Sequence, residues 1–167
     1  VPDYPFLLKT ACKLDYRGWK RPKYLEGQPV YINKNRRLCA IFLIEEYFRN
    51  KSTIEEDLQE ITGGDNCIIS IHCPPYGLDL DVCKDGRRVG SASVYKWIEK
   101  EQPLLVLCGH IHESFEMSKI WKNTIGKTVI IQPGQSREKT HLVEIDIDEK
   151  SKITCKLHIL TKGTLET

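Results

Sequence analysis

Apolar and polar positions along this 167-residue chain fall into three regimes. Residues 1–33 follow no period. "VPDYPF" and "KRPKYLEGQP" are broken by prolines and a glycine, so the stretch reads as irregular, with loops at both segments. "RRLCAIFLI" (37–45) is an apolar run with the length of a buried strand. In "STIEEDLQEITGG" that follows, Ile54, Leu58 and Ile61 recur at helical spacing. Ser52 and Glu55 stand at the spacing of a capping box, and Gly63 and Gly64 mark the end, so a short amphipathic helix is predicted.

The middle of the chain has a different rhythm. "NCIISIH" (66–72) is apolar and β-branched throughout, which predicts a central strand covered on both faces. "CPPYGLDLDVCKDGRR" reads as a loop. "SASVYKWIEKEQ" (91–102) reads as a helix, capped by Ser91, with Val94, Trp97 and Ile98 on its inner face and Pro103 past its end. "LLVLC" (104–108) is a second buried strand. Strand, helix and strand at these lengths form a βαβ unit. Beyond residue 120 the strands "KTVIIQ", "HLVEIDID" and "KITCKLHIL" follow. The last two alternate apolar with polar residues, as antiparallel strands with one solvated face do. The predicted class is α/β, or α+β by some schemes.

Composition narrows the reading. The length suits one domain spanning 1–167, and 40% hydrophobic with 29% charged residues is ordinary for a globular chain. Lys and Arg number 25 against 23 Asp and Glu, a net charge of +2. That balance does not indicate nucleic acid or a membrane surface as the main partner. No apolar run has the length of a membrane span and no signal peptide opens the chain, so a cytoplasmic location is expected. The seven cysteines (Cys12, Cys39, Cys67, Cys73, Cys83, Cys108 and Cys155) are odd in number and form no C-x-x-C pair. Several sit within apolar runs, so reduced core thiols are expected rather than a disulfide framework.

Histidine placement changes the picture most. "IISIHCPP" ends a strand on His72, and "LLVLCGHIHES" ends the next on His110 and His112. In a βαβ unit both clusters fall at the carboxyl edge of one sheet, where open α/β sheets place their sites. Neutral imidazole ligates zinc, iron, manganese or nickel. In extended chain His110 and His112 point to one side, roughly 6–7 Å apart at the backbone, a separation that suits one ligand on each of two ions. Gly109 is expected to loosen the backbone at the strand end, and Pro74 and Pro75 to stiffen the turn after His72. Taken singly, each histidine is more often a polar strand end than a ligand; two adjacent strands ending alike shift the balance towards metal.

"HCPPYG", then "GSASVYKWIEKEQPLLVLCGHIHES" and "IIQPG", resemble the calcineurin-like metallophosphoesterases, closest to the small prokaryotic type with an H-x-P-P-x-G loop. The likeness covers about residues 66–147. It implies an αββα sandwich of two sheets around a dinuclear centre of Mn, Fe or Zn. It implies hydrolysis of phosphate mono- or diesters, on a small molecule or nucleotide, by a hydroxide that the two ions activate. His72 and His110 would bind one ion and His112 the other. Arg87 and Arg88 are candidate phosphate contacts, Glu113 a candidate support for a ligand histidine, and Asp79 and Asp81 candidates for the mouth of the site. For all of these the bland reading of surface charge or solvated loop stands alongside. His141 and His158 are expected to be structural or exposed, Trp97 core, and Gly134 part of a tight turn.

The chain departs from the family's pattern upstream. No D-x-H, G-D or G-N-H box precedes "HCPP"; "GGDN" (63–66) reads as a turn and "KLDYRG" (13–18) is not D-x-H. "VPDYP" resembles the stretch that follows the third box, so the expectation is that this chain holds the carboxyl-terminal portion of the domain. The 167 residues would then bind at most one ion, weakly, and hydrolyse nothing alone. Sheet left uncovered would expose apolar surface and favour self-association. Two other readings compete. One is a non-catalytic scaffold on the same fold, favoured by the missing boxes. The other is a mononuclear zinc domain with Cys73 or Cys108 as a further ligand, which a Cys108 buried in its strand disfavours.

Overall fold

The computed structural model describes residues 6–8, 14–18, 29–32, 38–40, 48–136 and 138–161. The chain is mixed α/β and parts into two compact units, Val1–Glu60 and Ile61–Thr167.

The first unit holds strands β1 (Phe6–Leu8), β2 (Pro29–Ile32) and β3 (Leu38–Ala40), in the order β1-β2-β3. β1 runs parallel to β2, and β2 antiparallel to β3. Strands β1 and β2 fall in the stretch expected to be irregular. Three- and four-residue strands are too short for a period to show, and a proline at the first position of β2 costs the strand little. Of the strand expected over 37–45, residues 38–40 are strand and 41–45 lie outside the described residues, as does the "VPDYP" opening with Asp3. Helix α1 (Ile54–Gln59) is real but starts one residue later than the pattern suggested. Thr53, not Ser52, is the cap: its hydroxyl accepts from Glu56 N at 3.1 Å, and Glu56 Oε2 accepts from Thr53 N at 2.9 Å. Both pairs have the same spacing, so the pattern alone could not choose between them. The fork of Arg17 decides it, donating to Glu56 Oε1 at 2.7 Å and Oε2 at 2.8 Å and to the carbonyl of Lys51 at 2.8 Å. The helix ends before Ile61, which is exposed.

The second unit is built on a four-stranded sheet of β4 (Ile68–Ser70), β5 (Leu105–Leu107), β6 (Lys122–Ile125) and β7 (Thr128–Ile131), in the order β4-β5-β7-β6. β4, β5 and β7 are parallel and β6 returns antiparallel. Helix α2 (Ala92–Glu101) links β4 to β5 and completes the expected βαβ unit. Ser91 caps it by accepting from Val94 N at 3.0 Å, and Val94, Trp97 and Ile98 are buried as the pattern required. They pack with Leu80, Leu105, Val106, Ile111, Ile125, Ile130 and Ile131 in the core of the unit.

Three features differ from the expectation. β4 has a neighbour on one side only among the described residues, and Ile68 is 53% exposed, so the strand is not covered on both faces as expected. A short apolar run does not say which positions a strand occupies in its sheet. β7, which the sequence grouped with the β-rich tail, sits beside β5; its residues "TVII" suit a parallel strand covered on both sides. β6 and the five-residue helix α3 (Ser114–Ser118) carry no periodic signal and went unpredicted.

The tail forms a separate antiparallel pair, β8 (Lys139–Ile147) and β9 (Ile153–Thr161), in register from Lys139 opposite Thr161 to Ile147 opposite Ile153. Val143, Ile145 and Ile147 are half-buried while Glu144 and Asp146 are exposed, the alternation read from the sequence. Asp148 closes the turn, its Oδ1 accepting from Lys150 N at 2.8 Å and Lys152 N at 2.9 Å. No helix among the described residues is long and apolar enough to cross a membrane.

Candidate functional site

The parallel ladder carries the ends of β4 and β5 forward together. Ile71 N donates to Leu107 O at 2.9 Å, Gly109 N donates to His72 O at 3.0 Å, and Cys108 N donates to Ile131 O at 2.8 Å. His72 and Gly109 are thereby fixed side by side at the carboxyl edge. The next residue brings the rings together: His110 Nδ1 lies 3.2 Å from His72 Nε2, with ring centroids 5.0 Å apart at an interplanar angle of 73°. Both side chains are exposed.

The backbone at this point is not extended. His110 has φ +72°, and Ile111 N donates back to Gly109 O at 2.9 Å, which makes a γ-type turn centred on His110. This corrects two expectations. The left-handed residue is His110, not Gly109. The geometry that would set His110 and His112 on one side of an extended strand also does not apply. At Gly109 a Cβ would stand 3.4 Å from His72 Nδ1, an ordinary van der Waals contact, so the ring does not require a glycine there.

His112 is exposed in the turn that leads into α3, and its carbonyl accepts from Gln135 N at 2.7 Å. Gly134 takes φ +64° in an irregular stretch rather than in the tight turn expected, and a Cβ there would come within 2.7 Å of that same carbonyl. Behind the turn lies Gln132, 1% exposed, a residue the sequence reading passed over although it quoted "IIQPG". Its amide donates to Gly109 O at 2.7 Å and to Ile111 O at 3.0 Å, and its Oε1 accepts from Gly134 N at 3.3 Å.

The loop after Pro75 is tied down by its own acids. Asp81 is fully buried; its Oδ2 accepts from Gly77 N at 3.2 Å and Gly90 N at 3.1 Å, and its Oδ1 from Arg88 Nη1 at 3.5 Å. A buried carboxylate needs such partners, and these make Asp81 the anchor of the loop. Arg88 also pairs with Asp79, and the two acids hold its guanidinium above its usual pKa, the hydrogen bond that Arg88 donates to Asp79 foremost. Arg87 pairs with Asp85 at 2.5 Å, and the backbone N–H of Arg87 is the main cause of a lowered Asp85 pKa. Both arginines thus carry carboxylate partners from their own loop. Glu113 Oε1 accepts from Lys84 N at 3.3 Å; that contact joins the loop to the start of α3.

The remaining candidates are structural. His141 Nδ1 lies 2.7 Å from Pro133 O with its ring edge-on to Phe115, and His158 Nε2 lies 2.9 Å from Glu144 Oε2 on the hairpin. Trp97 is core, its Nε1 donating to Ile61 O at 3.2 Å. "GGDN" is a turn, and its Asp65 pairs with Lys127. Cys67, Cys73, Cys83, Cys108 and Cys155 are free thiols. Burial pushes the Cys108 thiol up to about 12, with Cys73 adding to the effect.

The 3.2 Å between the two ring nitrogens is the separation of a hydrogen bond, and distance alone does not distinguish that from two ligands on one ion. Two nitrogens bound to one tetrahedral zinc at 2.0–2.1 Å stand roughly 3.3 Å apart, close to the 3.2 Å observed here. Among the described residues no group of three or more His, Cys, Asp and Glu is gathered as a ready-made site. No protein-family model, curated protein or solved structure matches the chain.

Proposed function

We propose that this chain carries histidine ligands of a metal-dependent phosphoesterase, in an αββα metallophosphoesterase-type arrangement. The observation that supports this reading best is the convergence of His72 Nε2 and His110 Nδ1 to 3.2 Å at the carboxyl ends of two parallel strands. Polar groups at that edge are where an α/β sheet concentrates chemistry. Adjacent strands that both end on histidine, with the second held in an unfavourable backbone region, are hard to explain by solubility alone. His72 and His110 would hold one divalent ion of Mn, Fe or Zn, and His112 would serve a second. Bound ions would supply Lewis acidity towards the phosphate oxygens and activate water for in-line attack. Imidazoles bring no negative charge, so two ions held close together require carboxylates as well.

The test is a Co²⁺ titration of the 167-residue protein beside an assay with an aryl phosphodiester and monoester in Mn²⁺. We expect no more than one ion per chain, lost in His72→Ala and in His110→Ala, and no turnover. Failure to bind any ion would remove the metal reading and leave the scaffold. Two tight ions with turnover would support the chemistry but show that further acids complete the centre within this chain.

A further inference from the structure

The buried carboxamide of Gln132 has a partner for both N–H groups and for its oxygen, and where those partners lie is what matters. All three of its side-chain hydrogen bonds fall on one short piece of backbone and its neighbour. The carboxamide N–H groups reach Gly109 O and Ile111 O, at 2.7 and 3.0 Å, which are the carbonyls on either side of His110. Gly109 O is also the acceptor of the γ-turn bond from Ile111 N at 2.9 Å. The oxygen of Gln132 takes Gly134 N at 3.3 Å, which fixes the amide's own orientation.

His72 and His110 are held in different ways. His72 stands on the strand ladder, where its neighbour Ile71 and its own carbonyl bond to β5 and Gly109. His110 lies past the last ladder bond, in a turn that the backbone disfavours for a residue with a Cβ. Left to itself the turn would relax and carry the ring away. Gln132 lies 1% exposed beneath it, shielded from competing water.

We propose that Gln132 is a positioning residue that locks the turn at 109–111, and that without its two N–H donors the His110 ring does not meet the His72 ring. The functional side of this proposal rests on the reading of His72 and His110 as a ligand pair; the geometric side does not. Ligand supports of this kind affect metal affinity roughly 10–100-fold when removed.

The experiment uses ¹⁵N-labelled full chain and two variants. Gln132→Met keeps length without donors, and Gln132→Glu keeps an acceptor for Gly134 N while losing both N–H groups. Imidazole ¹H–¹⁵N spectra report the His72–His110 contact, with His158 on the hairpin as an internal control. Both variants should lose the signature of the ring contact, leave His158 unchanged and keep their circular dichroism. Their Co²⁺ affinity should fall about 10–100-fold. Variants that are less stable but keep the ring contact, or bind Co²⁺ as the parent does, would overturn the proposal and make Gln132 a merely structural residue. If the parent binds no Co²⁺, the phosphoesterase reading fails and the ring spectra alone decide the role of Gln132. Should both variants unfold, exchange of the Gln132 carboxamide protons in the parent decides it: slow exchange is expected, and fast exchange overturns the lock.

Discussion

His110 Nδ1 lies 3.2 Å from His72 Nε2 only because His110 takes a φ of +72°. A side-chain-bearing residue in that region costs about 1–2 kcal/mol relative to one at negative φ, a cost glycine escapes. His110→Gly and His110→Ala both delete the ring, but only the alanine retains the strain. We expect His110→Gly to be the more stable of the two by about 1 kcal/mol in urea unfolding, and neither to bind Co²⁺ at this site. Equal stabilities would show that the turn at His110 is not kept in solution.

Asp81 should be the most sensitive acid in the loop. Its carboxylate is fully buried and takes Gly77 N, Gly90 N and Arg88. Asp81→Ala leaves the amides of Gly77 and Gly90 without their acceptor and Arg88 with Asp79 alone, which costs about 3 kcal/mol. Asp85→Ala, which removes an exposed partner of Arg87, should cost well under 1 kcal/mol. Chemical unfolding of the two variants compares them directly; similar losses would mean that the loop is not anchored at Asp81.

Cys108 should react last among the described thiols. Burial raises its pKa from 9.0 to about 12, so the thiolate at pH 8 is about one molecule in ten thousand. Iodoacetamide labelling mapped by mass spectrometry should find Cys67 and Cys73 modified well before it. The sign of the linked pH effect follows from the raised value. Cys108 keeps its proton in the folded state while the unfolded chain gives it up, so stability is lost as pH rises from about 9 towards 12. Early labelling of Cys108 at pH 8 would contradict the burial.

Thr53 and Ser52 offer a check on the helix start. Thr53→Ala removes both the side-chain cap and half of a reciprocal box, and should cost about 1 kcal/mol. Ser52→Ala, which leaves that cap in place, should cost less. The reverse ranking in thermal unfolding would restore the register that the spacing of Ser52 and Glu55 suggested.

Sequence was sufficient where the pattern was long or the chemistry local. Helix α2 followed from Ser91, Val94, Trp97 and Ile98, because burial of one face enforces a period that ten residues display clearly. The βαβ unit and the placing of His72 and His110 at one sheet edge followed from strand order, since parallel neighbours must end at the same edge. The alternation in β8 and β9 was legible because one face meets water. Short elements were not: β1, β2, β6 and α3 span too few residues for any period.

Tertiary structure alone decided the rest. Ile68 reads as core but is 53% exposed, because what covers a strand is chosen by distant segments. Asp81 reads as a solvated acid but is buried, because Gly77, Gly90 and Arg88 surround it once the loop folds back. His110 reads as the continuation of a strand but turns, because Gln132, 22 residues further on, supplies the donors that hold a turn the local chain disfavours. Local periodicity records which face of an element is buried. It does not record which remote side chain completes a hydrogen bond, and at His110 that bond sets where the ring points.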